Sequence, residues 1–430
     1  MRIKRMFTLA LAAALFAPGP VQAAKAPVDN TYEQLKLLVD ILGYVQDNYV
    51  DDVDSQKLIY GAASGMTRTL DPYSQFLEPD MHREMKTETE GQFGGVGLRL
   101  NLKDDWLTVL TPMPGAPAYR LGILPNDRIV EIDGSSTKDM DMNDALKFLR
   151  GAPGTKVKLK VLRGPDGAGE SAWKSRDFEV VRELVKIESV VWRKLDAGVG
   201  YVRVTEFSAK TVDDLTDALK KLKKEGVSSL VLDLRNNPGG LLSAAVETAS
   251  LFLGGGKLIV YTQGRKAENR QDFTAGAKAP YAEMPLVVLV NGGSASGSEI
   301  VAGAMQDHKR AVVVGQRSYG KASVQSLIPM PDGSGLRLTV ARYYTPSGRS
   351  IHRDEKHKTG GISPDIAVEI SSDAEGKLYA QWETIYAKGA RPHSAVKAED
   401  AVRDEALDRA VELLKARDVL GALKTVPPAP

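Results

Sequence analysis

Hydrophobic residues change their spacing along the chain, and each spacing predicts a different kind of structure. From residue 30 to 90 they recur three and four apart: "TYEQLKLLVDILGYVQDNYV" puts Leu35, Leu38, Val39 and Leu42 on one helical face, and "SQKLIYGAASGMTRTL" follows before a turn at Asp71-Pro72. Between 91 and 163 the runs shorten. "WLTVLTPM" and "TKVKLKVLRG" read as strands, and "GQFGGVGLRL" as a glycine-rich turn entering a strand. "DMNDALKFLRG" reads as a helix with Met142, Ala145, Leu146 and Leu149 on one face and a stop at Gly151. From about 180, apolar runs ("GVGYVRVTEF", "SSLVLDL", "PLVVLV", "AVVVG") alternate with helical patterns ("TVDDLTDALKKLKKEG", "SAAVETASLFL", "SEIVAGAMQD"). That alternation predicts an α/β core. Residues 399 to 418 read as a final helix.

Composition narrows the class. The 430 residues, 43% of them hydrophobic, suffice for two or three domains with cores of their own. Arg2, Lys4 and Arg5 precede an apolar run from Met6 to Ala17, and "VQA" then offers small residues for cleavage after Ala23. A basic start, a short apolar middle and a small-residue exit predict an export signal at 1–23; an uncleaved membrane anchor is the alternative. Removing those three basic residues takes the formal charge from +2 to −1, so nothing favours a nucleic acid partner. The absence of cysteine excludes thiolate catalysis and disulfides, and the five histidines form no HExxH pair, so no metal site is expected.

The candidate chemistry lies in "NGGSASGSEIVAGAMQD", where Ser294, Ser296 and Ser298 fall between the apolar run 287–290 and a helical pattern. A serine there meets unpaired backbone N–H groups and the positive end of the helix dipole. Such serines cap helices, and Ser298 followed by Glu299 fits capping. They also act as nucleophiles when a base is near. His308 is about 18 Å along the same helix and does not reach. Lys321, in "GQRSYGKASVQS", is a second candidate, provided its surroundings keep it neutral at working pH. The S-x-x-K and K-T-G patterns of penicillin-recognising enzymes also occur, at 318–321 and 358–360, but S-x-x-K recurs at 171–174 and carries little weight.

Seven ordered motifs, "TLDPYSQFLEP", "FGGVGL", "GILPNDRIVEIDG", "VLDLRNNPGGLL", "NGGSASGSEIVAGAMQD", "GQRSYGKASVQS" and "RYYTPSGRSIH", resemble the carboxyl-terminal processing, or tail-specific, proteases. The resemblance implies a crotonase/ClpP-like α/β protease core with an inserted PDZ domain and helical segments at both ends. It makes Ser296 the nucleophile, Lys321 the general base and Gln325 the residue that orients the lysine. Gly297 and Gly239 would supply the oxyanion amides, with Gly240 as an alternative to Gly239. Gly95, Val96, Gly97 and Leu98 would bind a substrate's terminal carboxylate and tail, with Leu100, Leu146 and Leu149 around its last side chain.

Three positions depart from the family pattern. Gly297 stands where alanine is usual and implies a looser turn. Ala322 replaces a glycine and implies a stiffer one. Tyr73 stands where histidine is common, with little consequence expected. The implied layout is signal 1–23, helical region 24–88, PDZ domain 89–170, protease core 171–372 and helical tail 373–430. The implied partners are proteins or peptides with accessible C-termini, an adaptor or activator protein, and further copies of the chain. The implied location is outside the cytoplasm, in a bacterial periplasm and in contact with its membrane. No cofactor is implied. The rival reading is a latent or inactive peptide-binding scaffold that a partner aligns.

Overall fold

A computed structural model describes residues 31–424 apart from 104, 114, 139, 141, 165–172, 355–358, 372–373, 379–380 and 383–401. The export signal expected at 1–23 lies outside the described residues. The chain divides into two compact units, Met1–Ala63 and Ser64–Pro430. In the first, helix α1 (Thr31–Asn48) forms as its spacing predicts, yet it buries none of its residues: Leu35 is 51% and Val39 64% exposed. Helix α2 (Ser55–Arg68) starts in the first unit and ends in the second. Among the described residues no helix is long and apolar enough to cross a membrane.

After the end of α2, the second unit places a strand inside the stretch read as helical. β1 (Gln75–Leu77) precedes α3 (Pro79–Thr89). A small module follows: β2 (Gln92–Gly95), β3 (Leu98–Lys103), β4 (Trp106–Pro112), α4 (Pro117–Arg120), β5 (Arg128–Ile132), β6 (Ser135–Ser136), α5 (Met142–Leu149), β7 (Lys156–Arg163), β8 (Lys174–Val181) and β9 (Glu183–Lys186). Its sheet runs β3-β4-β5-β7-β8, antiparallel throughout. The core packs Leu107, Val109, Ile129, Leu159 and Val161 against Ala145 and Leu149 of α5. β8 lies beyond the boundary expected at residue 170, yet it pairs with β7 along eight residues, so this sheet extends to Val181. Entry strand β2 pairs with exit strand β9, which closes the module as an insertion. Buried Arg182 fastens that exit by donating to Phe148 O (2.7 Å) and Leu149 O (3.3 Å) at the end of α5. A cation suits a helix C-terminus.

The larger module comprises β10 (Val190–Lys194), β11 (Val199–Val204), α6 (Thr211–Lys224), β12 (Ser229–Asp233), α7 (Leu242–Ser250), β13 (Leu258–Gln263), β14 (Arg270–Thr274), β15 (Leu286–Val290), α8 (Gly297–Asp307), β16 (Val312–Gly315), β17 (Ser323–Pro329), β18 (Gly335–Tyr344), β19 (Ile366–Ala367) and α9 (Glu405–Lys424). Its central sheet runs β10-β11-β12-β15-β16-β19, parallel except at the β10 edge. Strands β11, β12 and β15 are buried at every residue, because side chains alternate between two covered faces. Val202, Leu232 and Val288 meet α6, α7 and α8, whereas Tyr201, Val231 and Leu289 meet Leu407, Ala410 and Leu414 of α9. At the end of β12, buried Arg235 bridges Asp233 (2.6 Å) and Asp404 (2.7 Å), which fixes the residues leading into α9. A second sheet, β1-β18-β13-β14 with β17 on β18, carries the remainder of the candidate site.

Candidate active site

The three clustered serines have different fates. Ser294 Oγ donates to Leu234 O at 2.8 Å and Ser298 Oγ to Asn237 O at 2.9 Å. Both hydroxyls therefore pin their turn to the loop that leaves β12. Ser296 is the N-cap of α8, with φ 52° and ψ −109°. A residue with a side chain rarely adopts that conformation, and it costs about 1–3 kcal/mol. The Ser296 hydroxyl faces that of Tyr343, whose phenol is pushed up by burial and eased back by this contact.

One carboxylate holds the strained turn. Glu299 is fully buried. Its Oε2 accepts from Ser296 N at 2.8 Å and from Lys321 N at 2.9 Å. Its Oε1 accepts from Ser318 Oγ at 2.5 Å and Gly320 N at 2.6 Å. Burial pushes this carboxyl up and the four donors pull it back. Tyr319 N adds a bond to Ser294 O at 2.9 Å. The serine turn and the lysine loop are thus cross-tied through their backbones. Sequence reasoning gave Glu299 only a capping role, although Ser296-x-x-Glu299 has capping-box spacing.

The glycines fit the same turn. Gly297 opens α8, so its N–H has no intrahelical partner. Gly239, at φ 107°, lies directly against it: a Cβ there would be 2.7 Å from Ser296 Cβ and 2.9 Å from Gly297 N. Gly239 N–H itself donates to Asn237 Oδ1 at 2.8 Å. Gly240 packs instead on the Phe207 backbone, where a Cβ would meet Phe207 O at 2.2 Å.

Gly297, where the sequence implies a looser turn, is a position with no room for a side chain: the Phe207 ring occupies the space an alanine methyl would need, with Cδ2 2.8 Å from the Cβ position. Phe207 is itself fully buried. Gly297→Ala is therefore expected to cost about 1–3 kcal/mol of stability by overpacking, and Phe207→Leu in the same chain to recover part of it. Thermal melts of the two variants check this. Ala322 is buried in the main core, and its carbonyl accepts from Tyr343 N at 2.8 Å. Asp307, at the end of α8, accepts from Ser347 N at 2.8 Å and pairs with Arg349, a structural task.

Lys321 precedes β17 and is half buried. Burial, and then the Arg337 guanidinium on β18, push its amine below the usual lysine range, while Glu299 acts in the opposite direction. Its Nζ lies 4.9 Å from the centre of the Tyr73 ring and makes no hydrogen bond or ion pair among the described residues. Gln325 makes no hydrogen bond to the lysine. A register shift between Val324 and Gln325 interrupts the β17–β18 ladder, and Gln325 Nε2 donates to Tyr73 O at 2.6 Å. Tyr73, given little weight from sequence, thus meets both residues. No periodicity or spacing signals a loop tyrosine 248 positions upstream of the lysine it covers.

In the small module, Val96, Gly97, Leu98, Leu146 and Leu149 line one pocket of about 220 Å3 together with Arg150. Gly95 is engaged in β2, opposite Glu183. Leu100 packs on the module's core rather than in the pocket.

Three family patterns match the chain. The pattern of peptidase family S41 matches residues 198–368, that of the PDZ domain residues 108–163, and that of the activating protease CtpB N-terminal domain residues 15–81. The chain is 41% identical over 345 residues to a carboxy-terminal-processing protease of Bartonella bacilliformis, spanning 79% of this chain and 76% of that one. It is 36% identical over 362 residues to a carboxyl-terminal-processing protease of Synechocystis, spanning 78% and 81%. Among solved structures, the photosystem II D1 C-terminal processing protease is 32% identical with a TM-score of 0.48, over 78% of this chain and 93% of that one. The chain belongs to the carboxyl-terminal-processing proteases of peptidase family S41, serine-type peptidases, and carries their PDZ domain.

Proposed function

We propose that the protein is an exported endopeptidase that captures protein C-termini in its PDZ domain and cleaves nearby peptide bonds through a Ser296–Lys321 acyl-enzyme. One observation carries the reading: a strained, buried serine and a half-buried lysine of lowered basicity are tied to the same carboxylate, Glu299. In this mechanism the neutral Lys321 amine takes the Ser296 proton as Oγ bonds to the scissile carbonyl carbon. The Gly297 amide, with that of Gly239 released from Asn237, stabilises the oxyanion. The C–N bond breaks, the leaving amine takes the proton from Lys321, and water hydrolyses the ester.

The apolar pocket bounded by Val96, Gly97, Leu98, Leu146 and Leu149 suits the last side chain of an extended tail that adds a strand to the module. Tethering a tail there raises the local concentration of the preceding chain at Ser296. Export rests on Arg2, Lys4 and Arg5 followed by the apolar run to Ala17. A second reading, a latent centre that a partner aligns, is favoured by Gln325 being bonded to Tyr73 O rather than to Lys321.

Mass spectrometry of peptides released from one unfolded substrate, carrying either an apolar free C-terminus or the same terminus amidated, tests the proposal. Cleavage that depends on the free terminus is expected. Equal cleavage of both substrates removes the capture step, and cleavage of neither by the purified protein favours the latent reading.

A further inference from the structure

Tyr73 is held from several sides. Its N–H and that of Ser74 donate to Asp71 Oδ1 at 2.7 and 2.8 Å, and Ser74 Oγ donates to Asp71 Oδ2 at 2.8 Å. Gln75, Phe76 and Leu77 then pair with Arg337, Leu336 and Gly335 of β18. The phenol hydrogen-bonds Tyr319 in the lysine loop and is pushed up to about 12, first by burial and then by that partner. So anchored, Tyr73 places its ring 4.9 Å from Lys321 Nζ. Its carbonyl accepts from Gln325 Nε2 at 2.6 Å and from Arg337 Nε at 3.1 Å.

A ring face attracts a cation through its quadrupole and offers little to a neutral amine. The Tyr73 ring therefore favours the protonated lysine, the form that cannot act as a base. The charged groups around Lys321 divide between two effects: Arg337 from β18 disfavours the ammonium, and Glu299 from α8 favours it. Asp71 lies near enough to Arg337 to favour that guanidinium's charge. Backbone and ring of one residue thus engage both the candidate base and the amide expected to orient it.

We propose that Tyr73 is a positioning residue for Lys321: its ring favours the protonated amine while its carbonyl occupies the Gln325 amide, until the contact opens. This rests on the Ser–Lys reading of the site.

The test uses the full chain with Tyr73→Leu, Tyr73→Phe and Tyr73→Trp. Two quantities are followed against pH: kcat/KM on an unstructured peptide, and the rate at which a fluorophosphonate labels Ser296. Tyr73→Leu is expected to move the acid limb of both profiles to lower pH, raising the rate on that side about two- to tenfold, with KM unchanged. Tyr73→Phe keeps the ring and is expected to keep the limb in place. Tyr73→Trp, a stronger cation binder, is expected to move it to higher pH. A Tyr73→Leu limb that coincides with the parent's, at whatever height, overturns the proposal. If that variant melts below the assay temperature, a folded Tyr73→Trp with an unmoved limb overturns it instead. Lys321→Met separates the two levels. If it labels at the parent rate, the Ser–Lys reading falls; if it is inert while every Tyr73 variant keeps the parent profile, only the role of Tyr73 falls.

Discussion

Ser296→Ala and Lys321→Met are each expected to lower cleavage of an unstructured substrate by about 10^4-fold or more, and the double variant no further. Nucleophile and base act in one step, so the loss of either removes most of what both supply. The two variants should part on stability. The Lys321 amine sits below the ordinary lysine range because burial and Arg337 penalise its charge. At pH below this lowered value both the folded and the unfolded chain carry the proton, and the folded state bears the full cost of a desolvated ammonium. As pH rises through the lowered value the folded chain releases its proton first, the unfolded chain binds more protons than the folded one, and stability increases with pH. Lys321→Met removes that cost. Its melting temperature should exceed the parent's at acid and neutral pH and converge with it at alkaline pH. Because the lysine is only half buried, the gain is modest. Ser296→Ala retains the Cβ at φ 52° and should melt close to the parent, whereas Ser296→Gly releases the strain and should gain about 1 kcal/mol. Steady-state kinetics and melts across the pH range check the set. Parental activity in Lys321→Met removes the lysine from the mechanism, and coincident melting curves at every pH mean that its amine is not desolvated.

How much was legible beforehand depended on whether a feature is local in sequence. The run 287–290 followed by Asn291-Gly292-Gly293 announces a buried strand entering a sharp turn, and that turn carries Ser296. The runs 199–204 and 229–233 likewise announce strands, which the structure buries at every residue. Strand β8, "KSRDFEVV", was missed because its outer face is charged and only Val180 is fully buried, so no alternation stands out. β1 was missed because three residues are too few to show a period, and pairing with β18 rather than propensity makes it a strand. The stripe on α1 was read correctly as amphipathic, but periodicity does not say what covers it. In the site, Ser296 and Lys321 came from motif resemblance. The side chains that contact them are a glutamate that looked like a cap and a tyrosine brought in by strand pairing across the chain.

Glu299→Gln therefore separates a capping residue from a cross-tie. A lost cap costs about 1 kcal/mol and leaves the folded fraction with parental turnover. The structure predicts more. The carboxylate accepts two N–H groups on Oε2, from Ser296 and Lys321, and one hydroxyl and one N–H on Oε1, from Ser318 and Gly320. A glutamine amide turns its NH2 toward one of those pairs whichever way it is placed, so at least one backbone N–H loses its acceptor and faces another donor. Each buried donor so stranded costs about 1–3 kcal/mol. Glu299→Gln is expected to lose about 2–4 kcal/mol, and Glu299→Ala, which strands all four donors, about 3–5 kcal/mol. Those losses fall where the Ser296 and Lys321 backbones are joined, so kcat should drop more than KM rises, as befits a displaced nucleophile and base. Removing the negative charge also withdraws a carboxylate that favours the Lys321 ammonium. The acid limb of kcat/KM should therefore move to lower pH even as its plateau falls, a combination that loss of a helix cap does not produce. Urea melts, kinetics against pH and the rate of Ser296 labelling measure all three. A folded Glu299→Gln protein with parental kcat and an unmoved limb would return Glu299 to the role of a cap and leave Ser296 and Lys321 to be held by other contacts.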